Sequence, residues 1–169
     1  MGFGLIARAY LARVGGHAAE AQHLAQAAYD LSTRSGESYV RMLASSEIAR
    51  TALELGDAAD TQHYAVEALL AARQLRNLNV ASYALELWAT AELRNHRIER
   101  AGRLFALGER GFRTASSHPW RTDAEGHGQL HAELQTALGD RYEHLLTELR
   151  DVDFDEAIAE LIASQPPAG

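Results

Sequence analysis

Residues 15–25 read GGHAAEAQHLA, and residues 55–65, forty positions later, read LGDAADTQHYA. Six of the eleven positions are identical (Gly16/Gly56, Ala18/Ala58, Ala19/Ala59, Gln22/Gln62, His23/His63, Ala25/Ala65), and Glu20 answers Asp60. A third copy follows at the same step, with His96 in the place of Gly16 and Gly56. Small residues recur at Ala21/Thr61/Ala101 and Ala28/Ala68/Gly108, larger ones at Leu24/Tyr64/Leu104, and Ala9/Ala49/Ala89 share a position upstream. Recurrence at a fixed period is the mark of a stacked array, in which each unit buries its apolar face on the next.

Each copy reads as two helices and a short turn. Tyr39, Val40, Leu43, Ala44, Ile48, Ala52 and Leu55 follow the 3.6-residue period of one helix face. Gly56-Asp57 supplies a C-terminal glycine and an N-cap aspartate. A second helix is predicted from Ala58 to about Arg76, with Tyr64, Ala65, Ala68, Leu69, Ala72 and Leu75 on its apolar side. The units are predicted at Gly2–Arg34, Gly36–Arg76 and Leu78–Thr114, so residues 1–114 form three hairpins. Residues 115–122 are a loop and 123–163 are capping helices, opened by the capping box Thr122-x-x-Glu125. Gly139-Asp140 is expected to repeat the turn-and-cap pattern, and Asp153 to cap a last short helix. Residues 164–169 are a tail or linker.

Composition agrees with an all-α chain. Alanine (32) and leucine (23) dominate the 169 residues, with five valines, five isoleucines and three prolines. Without cysteine there are no disulfides, thiolate metal sites or thiol nucleophiles; without lysine there is no P-loop lysine and no Schiff-base chemistry. The formal charge of −7 disfavours direct binding to nucleic acid. No apolar run approaches the roughly 18–20 residues of a membrane span, and Arg8 and Arg13 interrupt the opening as a signal-peptide core. A cytoplasmic location without membrane contact is the expectation.

Ala49, Gly56-Asp57, Ala65 and Ala68, then Ala89, Ala101, Phe105 and Gly108, resemble the small-residue and turn pattern of tetratricopeptide-type repeats. The period of 40 departs from the usual 34 of that family. From about Ile98 to Ile162 the chain is similar to the closing stretch of the C-terminal sensor regions of large bacterial ATPase-type, LuxR-like transcriptional regulators. Arg103-Leu104, Pro119, Ala137-Leu138-Gly139, Tyr142 and Asp155-Glu156-Ala157 carry that likeness. The resemblance implies a right-handed α-solenoid of antiparallel hairpins, and a regulatory part without nucleotide-binding or DNA-reading motifs of its own.

Candidate chemistry is sparse. Glu20-x-x-His23 and Asp60-x-x-His63 have ligand-like spacing, but the packing positions Ala21, Leu24 and Ala28 turn both histidines to the outer side of the second helices. His127 and His131 share a helix face, lack the glutamate of a zinc-protease motif, and read as an incidental pair. No nucleophile, base and orienter stand at recognisable spacing. No catalytic residue, cofactor or metal ligand is therefore expected. The expected function is a non-catalytic module for a protein or peptide segment, which includes other domains of the same polypeptide. The alternative is a small-ligand-sensing regulatory domain. By the repeat resemblance the first helices line the groove, which offers Tyr10, Arg13, Arg50, Glu54, Glu86 and Arg94 as partner contacts, with Trp120 as a loop contact.

Overall fold

The computed structural model describes residues 1–118 and 124–164. It is all-helical, with consecutive helices packed on one another in a solenoid-like arrangement. Three hairpins come first: α1 (Gly2–Val14) with α2 (Ala18–Ser35), α3 (Ser38–Leu55) with α4 (Ala58–Gln74), and α5 (Leu78–Arg94) with α6 (Ile98–Thr114). Then come α7 (Ala124–Leu138), α8 (Asp140–Glu148) and α9 (Phe154–Ala163). No strand occurs among the described residues.

The turns obey a finer rhythm than the forty-residue copy. Left-handed backbone occurs at Gly16, Gly36, Gly56, Arg76, His96 and Ser116, one every twenty residues. At each of these places the next N–H bonds back to a carbonyl five residues earlier: His17 to Ala12, Glu37 to Ser32, Asp57 to Ala52, Asn77 to Ala72, Arg97 to Glu92, Ser117 to Phe112. That bond closes a Schellman ending, which satisfies orphaned carbonyls and reverses the chain in two residues. Within the five inter-helix turns from 16 to 96, the residue after the left-handed one is the N-cap of the next helix. Asp57 and Asn77 cap with their side chains, accepting from the N–H groups of Asp60 and Val80. Every hairpin therefore has nearly the same geometry, and so does every step between hairpins.

The small residues at repeated positions are where helices press together. Ala9, Ala49 and Ala89 are fully buried, as are Ala21, Thr61 and Ala101, and Ala25 and Ala65, whose counterpart in the third unit is the equally buried but large Phe105. At Gly108 a Cβ would lie 3.1 Å from the Ser82 carbonyl oxygen of α5, so a side chain at this helix crossing would force the two backbones slightly apart. Trp88 is wholly buried. First helices of successive units pack directly on each other, whereas α2 and α4 meet through long side chains such as Tyr29, Tyr64 and Glu67. The first helices thus form the inner, concave side.

The C-terminal helices cap the third unit. A Cβ at Gly102 of α6 would lie 2.6 Å from Leu138 and 2.9 Å from Leu145, which fixes α7 and α8 close against it. Three arginines of the second helices hold the last segment: Arg73 on Asp155, Arg100 on the Leu161 carbonyl, and Arg110 on the Val152 carbonyl. Asp153 caps α9 as expected. The expectation for Asp140 is corrected: Gly139 occupies the N-cap, no side chain caps α8, and Asp140 is already its first helical residue. The capping box at Thr122 lies outside the described residues.

Candidate functional site

The inner face is built from one stripe of each first helix. In α1 the stripe is Phe3, Ile6, Ala7, Tyr10 and Leu11; with Leu43 and Ser46 of α3 and Tyr83 of α5 it walls an open apolar groove of about 570 Å³. Farther along the same face the character changes. Arg50, Leu53 and Glu54 of α3 and Tyr83, Glu86, Thr90 and Arg94 of α5 surround a second cavity of about 360 Å³, adjoining the first at Tyr83. The outer wall of that cavity is α7, through Gly126, His127, Gln129, Leu130 and Glu133. Helix α7 of the same chain lies across the polar half of the concave surface and leaves the apolar half open.

His127 fastens it there. Its Nδ1 is 2.6 Å from a Glu86 carboxylate oxygen of α5, and its Nε2 is 3.5 Å from Glu109 of α6. The ring also lies against Phe105, with centroids 5.3 Å apart. The hydrogen bond to Glu86 raises the histidine's pKa, against an opposing effect of burial, and both carboxylates add attraction. The geometry is that of an imidazolium clamped between two acids, one on each side. Glu86, Glu109 and His127 also bring ligand atoms within 4.8 Å of one another, the spacing of a possible metal set. The two ring nitrogens face different carboxylates, however, so a metal on either nitrogen would break one arm of the clamp.

His131, one turn on, contacts Phe105 edge-on and lies 3.2 Å from the hydroxyl of buried Tyr142, whose pKa burial raises. The pair expected to be incidental thus faces inward and joins α7 to α5, α6 and α8. His23 and His63 are exposed on the second helices.

The residues expected as partner contacts fall into three sets. Arg50, Glu54, Glu86 and Arg94 do come together, around the cavity beneath α7. Arg94 donates to the Leu53 carbonyl at 2.6 Å, tying the end of α5 to the end of α3. Arg13 is not a groove arginine open to a ligand: it is buried, 2.7 Å from Glu47 and 3.3 Å from Glu54. Tyr10 stands in the apolar groove, with the Arg13 guanidinium 5.5 Å from its ring centroid. Trp120 lies outside the described residues. Sequence reasoning missed Glu47 and Glu109, and it set His127 aside as half of an incidental pair. The thirty-four positions between Arg13 and Glu47 carry no periodic signal, and His127 stands between two glycines in a helix with little amphipathic pattern.

No described helix is long and apolar enough to cross a membrane. No protein-family model, no curated protein and no solved structure matches the chain.

Proposed function

We propose that the chain is a non-catalytic interaction module whose concave face holds a helical or extended segment of a protein partner, a part that another domain of the same polypeptide can play. The carrying observation is that this face already holds one helix, α7, while its neighbouring apolar half stays open. A groove of that size, walled by Phe3, Ile6, Tyr10 and Leu43, suits the apolar side of an amphipathic segment. The residues that resemble the C-terminal helical regions of bacterial ATPase-type, LuxR-like regulators support the same reading, in which the module relays partner binding to attached domains in the cytoplasm. A photo-crosslinking residue in place of Tyr10 should join the chain to a discrete partner in cells, while the same residue in place of exposed His63 should not. Equal labelling at both positions would move the site away from the groove.

The cavity under α7 favours a second reading, a small-ligand sensor, since about 360 Å³ falls in the range of small-molecule sites. Thermal-shift screening separates the two: a metabolite that raises the melting temperature, with the rise lost in Thr90→Trp, supports the sensor.

A further inference from the structure

The repeat allows each unit to be compared with its neighbours position by position, and one face of α1 fails that comparison. Ala44 and Ala84 are fully buried, and so are Thr51 and Ala91; Ile48 and Trp88 are 1% and 0% exposed, and Glu47 and Leu87 are 7% and 2% exposed. These positions of α3 and α5 face the preceding hairpin: Arg13 of α1 covers Glu47, Ile48 clusters with Leu24 and Ala25 of α2, and α2 and α4 pack on α3 and α5 as whole helices. Their counterparts in α1 are Gly4, Ala7, Arg8 and Leu11, and all four are exposed, Leu11 to 67%. A terminal unit that ends an array has a polar outer face. This one keeps small and apolar residues where a helix would pack, and nothing lies within 4 Å of a Cβ placed on Gly4.

We infer that this face of α1 is a docking surface for a further helix hairpin of the same forty-residue kind, seated on α1 as α2 is on α3 and α4 on α5. The surface shares Ala7 and Leu11 with the rim of the concave groove, while Gly4 and Arg8 lie outside that groove, and the inference does not depend on the function proposed for the groove. The stacking interface seen twice within the chain is continuous with it. Charge selects among occupants. α1 contains Arg8 and Arg13 and no acid; Arg13 is held by Glu47, while exposed Arg8 stands where Ile48 and Trp88 stand in the later units. A second copy paired α1 to α1 would bring like charges together, whereas an alanine-rich second helix with one carboxylate level with Arg8 satisfies both the shape and the charge.

The test supplies such a hairpin at high local concentration. Residues 36–80 are placed directly ahead of Met1, so that Met1 follows Val80 as Ala81 does and the period of forty is kept. A second form carries Arg8→Ile, giving the graft the apolar seat of unit 2. The expected result is a melting temperature several degrees higher in at least the Arg8→Ile form, with amide exchange across residues 4–11 slowed about tenfold or more. Gly4→Trp should abolish both effects in the extended chain, yet leave the melting of the unextended chain unchanged. If neither extended form shows protection in α1, or Gly4→Trp makes no difference to them, the inference is overturned. It is equally overturned in favour of self-association if the unextended chain sediments as a dimer that Gly4→Trp dissociates. A Phe3→Ala variant that abolishes crosslinking from position 10 while the graft still docks would show that the two surfaces act separately.

Discussion

His127 and Glu86 meet at 2.6 Å across forty-one positions of sequence, and through them the chain's own helix is tied into the groove that its repeats create. The remaining hold on α7 comes from buried Leu130 and Leu134, from Leu138 against Gly102 and from His131 beside Phe105 and Tyr142. Replacing His127 by alanine removes the clamp and leaves the buried Glu86 carboxylate without its imidazole. The expected loss is about 1.5–3 kcal/mol in chemical denaturation, the range for hydrogen bonds to charged groups. Amides of α7 should lose exchange protection while those of α3 keep theirs. Unchanged protection in α7 would show that its leucines suffice.

The same contact predicts a pH dependence. His127 has a raised pKa in the folded chain, so its stabilisation is complete below the unfolded value of about 6.5 and is lost as pH rises through the folded value. Glu86 of α5 and Glu109 of α6 favour the imidazolium, while burial opposes it. Denaturation midpoints should fall on going from slightly acid to mildly alkaline solution, and His127→Phe should flatten that slope. A parent profile as flat as the variant's would refute the clamp.

Much of the array was legible in the sequence, because its determinants are local or repeat at fixed spacing. Buried alanines at positions 9, 49 and 89 and a glycine-aspartate turn at 56–57 each leave a mark that the next copy repeats. The twenty-residue rhythm was only half visible. Gly16, Gly36 and Gly56 announce left-handed turns, but Arg76, His96 and Ser116 adopt the same backbone with side chains that do not advertise it. There the Schellman bonds and the packing of flanking helices impose the conformation. The seating of α7 on the concave face had no sequence signal, since it depends on Glu86, Glu109 and His127 meeting from three different helices.

Those three turns give a stabilising prediction. A non-glycine residue in left-handed backbone costs about 1–2 kcal/mol, partly offset by the entropy glycine loses on folding. His96, at φ 58°, occupies the place that Gly56 fills at φ 83°, and it is exposed. His96→Gly should therefore raise stability by up to about 1 kcal/mol. Lower stability would mean that the imidazole makes a contact worth more than the strain.

Ala68 tests the packing register. It is fully buried at the position of Ala28 and Gly108, where α4 presses on its neighbours. Ala68→Leu should overpack that crossing and cost about 1–3 kcal/mol, whereas the double replacement of exposed His23 and His63 by alanine should stay within about 0.5 kcal/mol of the parent. A leucine accepted at position 68 without loss would mean that the crossing is looser than three copies of a small residue imply.

Glu92 joins the repeats to their C-terminal cap. Its carboxylate is wholly buried in α5; it accepts from the Trp88 indole at 2.9 Å and lies 2.7 Å from Arg97 and 3.3 Å from Arg100 of the next helix. Arg100 covers the Trp88 ring, its guanidinium carbon 5.2 Å from the centroid, and extends to the carbonyls of Leu161 and Ser164 at the end of α9. Removing the acid leaves the partly buried Arg100 without its counter-charge beside an indole N–H without an acceptor. Glu92→Ala should cost about 3–5 kcal/mol, the penalty for breaking a buried charge pair from one side. Glu92→Gln, which keeps an acceptor for Trp88, should cost less. If the network also positions Arg100 for α9, both variants should speed amide exchange in α9 more than in α3. Equal acceleration in the two helices would confine Glu92 to the core of the third unit.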